Sequence, residues 1–450
     1  MKDKKMIFRI SFLVILALLV IGVTYAWFVW RAPEDKSVSV TIGQVTINYE
    51  DGPDITNNNL IPVSTKEKGI VKDITVSSSS PTTLYLNLYL NVKSISDYLK
   101  EDSFKWAIYN GDSVITEGNF SSVINGNDIT LLDGVAISST PTTYTLYIWI
   151  DGNMNNPNDM FNQSFDYYLH ADASNEKPPT GADTITDVYT MASKTQVTND
   201  NINYNYAMEV GMMEDVGGNI RYYGADPNNY VSFNNELWRI IGVFKDIDDG
   251  TGKKETRIKI ARSESIGNYQ WNSSSNNEWS TSTLNTYLNG DYLNGLTIDA
   301  QNMIGDALWN LGGSSASQGL YANDYYTFER GTTVNTGNST TWIGKITLMY
   351  PSDYMYAADL SKCTLVGFNW NNDTTNCRDT SWLRNDKGAQ WTLSHLVGTQ
   401  FVFNVDTSGR VANVGMIVNR NPTRPVLFLK SDVKITGGDG SSGSPFELSL

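Results

Sequence analysis

"TLYLNLYLNV", Thr83 to Val92, decides the fold. Leu84, Leu86, Leu88, Leu90 and Val92 fall on one phase of a two-residue period, and Tyr85, Asn87, Tyr89 and Asn91 fall on the other. Strict alternation over this length reads as an antiparallel strand with one face in a core and one toward water. "FKWAIYNG", "TYTLYIWID" and "FDYYLHA" repeat the habit, with turn-rich stretches such as "NGDS" and "DGNMNNPND" between them. Upstream, "SVSVTIGQVTINYE" changes phase at Gly43-Gln44, which reads as a β-bulge inside one long strand. Short strands with almost no helix, apart from a brief piece near "ISDYLKE", predict an all-β sandwich over 36–173.

"DASNEKPPTGAD" then supplies Pro178-Pro179 among small polar residues, and 174–186 reads as an exposed linker. Beyond it, residues 187–450 predict an α+β domain. Periodicity is weak up to about 220. Asn234-Asn235 between two apolar runs then suits a tight hairpin, and "FKDIDDGTGKKETRIKIARS" makes another. Helical spacing follows in "STSTLNTYLNGDYL" and in "LTIDAQNMIGDALWNLGG". In the second stretch, Thr297 caps a helix whose face carries Ile304, Ala307, Leu308 and Leu311, with Gly312-Gly313 ending it.

At the other end of the chain, 21 uncharged residues separate Arg9 from Arg31. As a helix, 10–30 would cover about 30 Å, the thickness of bilayer hydrocarbon. Lys2, Lys4, Lys5 and Arg9 precede it, so the positive-inside rule puts 1–9 in the cytoplasm and the rest outside. The segment is either a single membrane anchor or a signal cut near Ala26. Both readings export the chain.

Composition limits the function. A formal net charge of −15 argues against nucleic acid and anionic lipid surfaces as electrostatic partners. Cys363 and Cys377 are the only cysteines, and in an exported chain they predict one disulfide closing a 15-residue loop, worth about 3 kcal/mol. Two histidines, His170 and His395, leave little material for a zinc site. Ser394 beside His395 is the one serine–histidine neighbour pair, without a G-x-S-x-G elbow, so no catalytic residue is assigned.

The features of the first domain come in a definite order: an export segment ending near "TYAWF", then "VTIGQVTINY", the tyrosine- and leucine-rich strand, "FKWAIYN", "EGNF" and "YTLYIWIDG". In that order it resembles the camelysin/TasA family of bacterial matrix proteins. The resemblance implies a jelly-roll-like sandwich, secretion and, in some members, self-assembly into extracellular fibres. The protease activity for which camelysin was named finds no triad or metal ligands here. In "ELWRIIGVF", "EWSTSTLNTYLNGDYL", "ITLMYPSDYMYA", "SWLR" and "RPVLFLKSDVKITGGDGSSGSPFEL", the second domain resembles uncharacterised bacterial surface domains related in fold to the C-type-lectin-like and formylglycine-generating-enzyme-like group. The paired catalytic cysteines of the latter enzymes do not occur here at the spacing those enzymes use.

"NWNNDTTNC", Asn369 to Cys377, looks like the run before a cysteine in calcium-dependent lectins, with Asn371, Asn372 and Asp373 as oxygen donors. An extra Asn interrupts it and no partner motif completes it, so a polar loop pinned by the disulfide is the competing reading. "DIDDGTGKKE" departs from EF-hand spacing and reads as a hairpin turn, and "DGNMNNPND" as a surface turn. Trp271, Trp279, Trp342, Trp370, Trp382 and Trp391 sit among Asn, Ser and Thr, the mixture a sugar-binding face needs, although tryptophans also serve cores. Trp370, Asn371, Asp373 and Trp382 are the candidate ligand-binding residues. No cofactor is required, with Ca²⁺ the one ion the oxygen donors would suit. The expected function is non-catalytic adhesion or matrix assembly outside the cell. The alternative is an anchored display protein that binds glycan or a host protein.

Overall fold

The computed structural model describes residues 28–31, 38–42, 45–51, 61–79, 83–153, 160, 163–315, 320–363, 374–384 and 388–450. The chain forms two compact units, Met1–Pro178 and Pro179–Leu450. Among the described residues no helix is long and apolar enough to cross a membrane. The expected export helix lies outside them as far as residue 27. Its last three residues belong instead to a strand.

The strands of unit 1 are β1 (Phe28–Arg31), β2 (Val38–Ile42), β3 (Val45–Asp51), β4 (Pro62–Val63), β5 (Ile70–Ser78), β6 (Leu84–Ile95), β7 (Phe104–Asn110), β8 (Ser113–Asn119), β9 (Asp128–Ile137), β10 (Thr142–Asp151) and β11 (Phe165–Ser174). One sheet runs β1-β11-β6-β9, and the other runs β2-β3-β5-β10-β7-β8 with β4 paired to β10. Leu86, Leu88, Leu90 and Val92 of β6 meet Ile74, Ile108, Leu146 and Ile148 in one buried cluster. A two-sheet sandwich follows from the alternation, because each sheet has only one apolar face to cover. "ISDYLKE" supplies one 3-10 turn, Asp97–Leu99.

The expected single bulged strand is corrected, although Gly43-Gln44 themselves lie outside the described residues. β2 and β3 pair antiparallel with Ile42 opposite Val45, so the chain reverses there. A phase change at glycine fits a two-residue hairpin as well as a bulge, and pairing decides between them.

In unit 2 the latter half of the expected linker is structured. α1 (Gly181–Met191) starts at Thr180, whose hydroxyl accepts from Asp183 N while the Asp183 carboxylate accepts from Thr180 N, a complete capping box. Ala182, Ile185 and Tyr189 bury its apolar face. Next come β12 (Thr195–Asn199), β13 (Ile202–Ala207), β14 (Met212–Glu214), β15 (Ile220–Tyr222), β16 (Tyr230–Phe233), β17 (Glu236–Asp248) and β18 (Lys254–Arg262). The main sheet runs β12-β13-β14-β15-β17-β18, then Val426–Phe428 and Ile346–Thr347, with β16 beside β17. Asn234 and Asn235 both take φ of 57°, the left-handed conformation that the β16–β17 turn needs.

One expected helix is shorter than its periodicity implied. It covers only Ile298–Met303, and Ala307–Asn310 forms a strand on Thr341–Gly344. Gly305 lies against the Arg257 guanidinium, where a Cβ would come within 2.6 Å of Nη1, and Arg257 donates to the Asp306 carbonyl. Tertiary packing thus overrides the local pattern.

Candidate functional site

The water-facing side of β6 carries an organised polar and aromatic surface. In the pairing of β6 with β11, Asn87 stands opposite Asp172, Tyr89 opposite His170 and Asn91 opposite Tyr168. On the other flank, Asn91 stands opposite Asp128 of β9 and Tyr89 opposite Thr130. Alternation and register together gather rings, amides and carboxylates from three strands on one face.

Hydrogen bonds hold this face in shape. Asn87 Nδ2 donates to Asp172 Oδ1 at 2.7 Å, and Asn87 Oδ1 accepts from Gly134 N at 2.6 Å. Asn91 Nδ2 donates to Asp128 Oδ1 at 2.7 Å and to the Gly126 carbonyl at 2.9 Å. His170 Nε2 lies 2.9 Å from Asp128 Oδ1. The Tyr89 and His170 rings stack with centroids 4.9 Å apart and planes 23° apart, and Tyr168 is tilted against His170 at 5.6 Å. Lys93 Nζ sits 5.6 Å from the centre of the Tyr168 ring.

Above these groups is an open depression of about 750 Å³, lined by Tyr89, Asn91, Lys93, Asp128, Tyr168, His170 and Asp172. Partial burial, then the Asp172 and Asp133 charges, push the Tyr89 hydroxyl up to about 12, so it remains a neutral donor and acceptor. Burial raises the Asp172 carboxyl, with the Asn87 amide acting against it. Chemically, the face offers partly exposed aromatic rings beside fixed groups that accept from and donate to hydroxyls. Among the described residues no cluster of His, Cys, Asp or Glu could hold a metal ion.

The residues singled out in unit 2 fare differently. Trp370, Asn371 and Asp373 lie outside the described residues. Trp382 is only 6% exposed, so its expected ligand-facing role is corrected: its indole N–H donates to the Tyr222 carbonyl at 2.9 Å, and Arg239 covers the ring. Trp271, Trp279 and Trp391 are buried as well, and Trp342 is half-buried. The N–H groups of Trp271 and Trp391 donate to the Thr392 and Tyr269 carbonyls. A tryptophan among polar residues enters a core readily once its one donor finds a carbonyl.

Cys363 and Cys377 form the expected disulfide, with Cα atoms 4.8 Å apart. Asp246 to Glu255 makes the expected hairpin turn between β17 and β18. Among the described residues Ser394 Oγ and His395 Nε2 are both buried without a hydrogen-bond partner, so no hydrogen bond joins them. Burial takes His395 down to about 4, leaving it neutral at neutral pH.

Sequence spacing alone does not bring Tyr89, Asn91, Asp128, His170 and Asp172 together as a site. The signal was present in the polar phase of "TLYLNLYLNV" and in the Tyr168, His170 and Asp172 phase of "DYYLHAD". No family model and no curated protein matches the chain.

Proposed function

We propose that this chain is a non-catalytic protein of the bacterial cell surface that adheres by holding carbohydrate on the outer face of β6, β9 and β11. The observation that supports this most is the stacked Tyr89–His170 pair, set between the Asn87–Asp172 and Asn91–Asp128 hydrogen bonds beneath an open depression. A pyranose ring presents an apolar C–H face and a rim of hydroxyls, the complement of such a surface. Export through the N-terminal segment, by anchoring or by cleavage near Ala26, places the site outside the cell, where a disulfide persists. In this reading unit 1 is jelly-roll-like and unit 2 C-type-lectin-like, as the resemblances imply.

A glycan array probed with the exported protein and with Tyr89→Ala tests it. We expect a defined set of glycans retained by the wild type and held about tenfold more weakly by the variant. An array on which the wild type retains nothing would remove the reading.

A second reading, matrix assembly, is supported by β1. This strand lies at the sheet edge on β11, with Phe28 opposite Ala173 and Arg31 opposite His170. A terminal strand that covers its own edge can cover the same edge of a neighbour. Sedimentation should then show concentration-dependent oligomers that vanish when 28–31 are deleted, and a protein monomeric at every concentration excludes assembly by this route.

A further inference from the structure

The strongest chemistry outside that face lies in the core of unit 2. Lys259, midway along β18, points its ammonium at Asp353 in the first turn of the helix Pro351–Tyr356, with Nζ 2.5 Å from Oδ2. The side chains are 1% and 0% exposed, and the residues are 94 positions apart in sequence. Four rings enclose the amine: Tyr350, Phe244, Trp309 and Phe428, with centroids 4.5, 5.2, 5.3 and 5.6 Å from Nζ. Asp353 Oδ1 accepts from Arg221 Nη1 at 2.8 Å, and Tyr350 N donates to Oδ2 at 2.9 Å. Arg221 has a counterion of its own, because its Nε donates to Asp215 Oδ2 at 2.6 Å.

We propose that Lys259 and Asp353 condense into an intramolecular isopeptide bond, a covalent cross-link between β18 and the helix that follows Tyr350. The amine and the carboxylate that carries the electrophilic carbon are already hydrogen-bonded to each other, in a site closed to bulk water, which is what converts a slow bimolecular condensation into a feasible intramolecular one. Burial lowers the Lys259 pKa to about 8, which makes the neutral amine accessible. Burial raises Asp353, and Lys259 and Arg221 more than offset it, so the reaction starts from the ion pair. Passage of one proton from Nζ to Oδ2 gives amine and acid.

The Nζ lone pair then attacks Cγ, and Arg221 Nη1 faces the Oδ1 on which negative charge develops. Oδ2 leaves as water after taking a second proton from Nζ. One C–N bond forms, one C–O bond breaks, and nothing is oxidised or reduced. The product removes a buried ion pair and its desolvation cost while Arg221 stays neutralised by Asp215. An extracellular protein under load gains a strut that pulling cannot unzip.

Mass spectrometry of the full, exported chain decides the matter. After allowance for the mature N-terminus and the two hydrogens lost to the disulfide, the mass should fall short of the sequence value by one water, about 18 Da. Lys259→Arg should show no deficit. A tryptic digest of the wild type, which needs no variant, should contain peptide 258–262 joined to 346–362 through an amide. A wild type at full mass, a deficit that survives Lys259→Arg, or a digest in which 346–362 runs only as a linear peptide overturns the proposal.

Discussion

The two units spend their aromatic and charged residues in opposite ways. Unit 1 sets Tyr89, Tyr168 and His170 on one uncovered face of a sheet, with their carboxylate and amide partners beside them. Unit 2 draws Trp271, Trp279, Trp309 and Trp391 inside, and with them Arg221, Lys259, Asp353 and Glu329. Aromatic content therefore locates no binding site by itself. What separates the two is whether a ring stays partly exposed above its sheet, as Tyr89 does on β6, or whether a carbonyl waits in the interior, as Thr392 does for Trp271.

The contrast breaks most visibly at the buried charges. Arg221→Met strands the buried Asp215 carboxylate, and should cost about 3–5 kcal/mol in urea unfolding. A loss below about 1 kcal/mol would mean that water reaches this cluster.

Glu329 gives the pH signature of the same interior. Burial raises its carboxyl from 4.5 to about 7, with Arg330 and Ser352 acting against it. A folded-state value above the unfolded one means that the folded state keeps its proton longer. Stability is thus unaffected below pH 4.5 and falls as pH rises from 4.5 to 7, by on the order of 3 kcal/mol. Glu329→Gln should flatten that fall, measured as the difference between wild-type and variant unfolding free energies across the range.

Reducing the Cys363–Cys377 disulfide releases a loop of sequence separation 14 and should cost about 3 kcal/mol in the same experiment. Tyr89→Ala sharpens the comparison from the other side. It should weaken retention of an array-selected oligosaccharide about tenfold, about 1.4 kcal/mol, while Trp271→Ala leaves the affinity of the folded fraction unchanged. The smallest effect is expected at the α1 cap, where Thr180→Ala should cost about 1 kcal/mol.

Local pattern made much of this legible. The alternation in Thr83–Val92 gives β6, its buried face and its wet face, and Asn234-Asn235 gives the β16–β17 hairpin. The Thr180–Asp183 capping box was readable too, but two prolines beside it made the whole stretch look like linker. Long-range pairing hid the rest. Nothing near Tyr89 in sequence says that His170 and Asp128 will flank it, because β11 and β9 reach β6 across dozens of residues. Likewise, the helical spacing after Thr297 gives no hint that Arg257 will press on Gly305 and turn Ala307–Asn310 into a strand.

Hydrogen–deuterium exchange of the full chain, with and without the oligosaccharide selected on the array, tests the site assignment most directly. Protection confined to 84–95, 128–137 and 165–174 is the result expected of a sugar lying across Tyr89 and His170. Protection in 179–450, with those three strands unchanged, would contradict it and return the ligand to the tryptophan-rich unit.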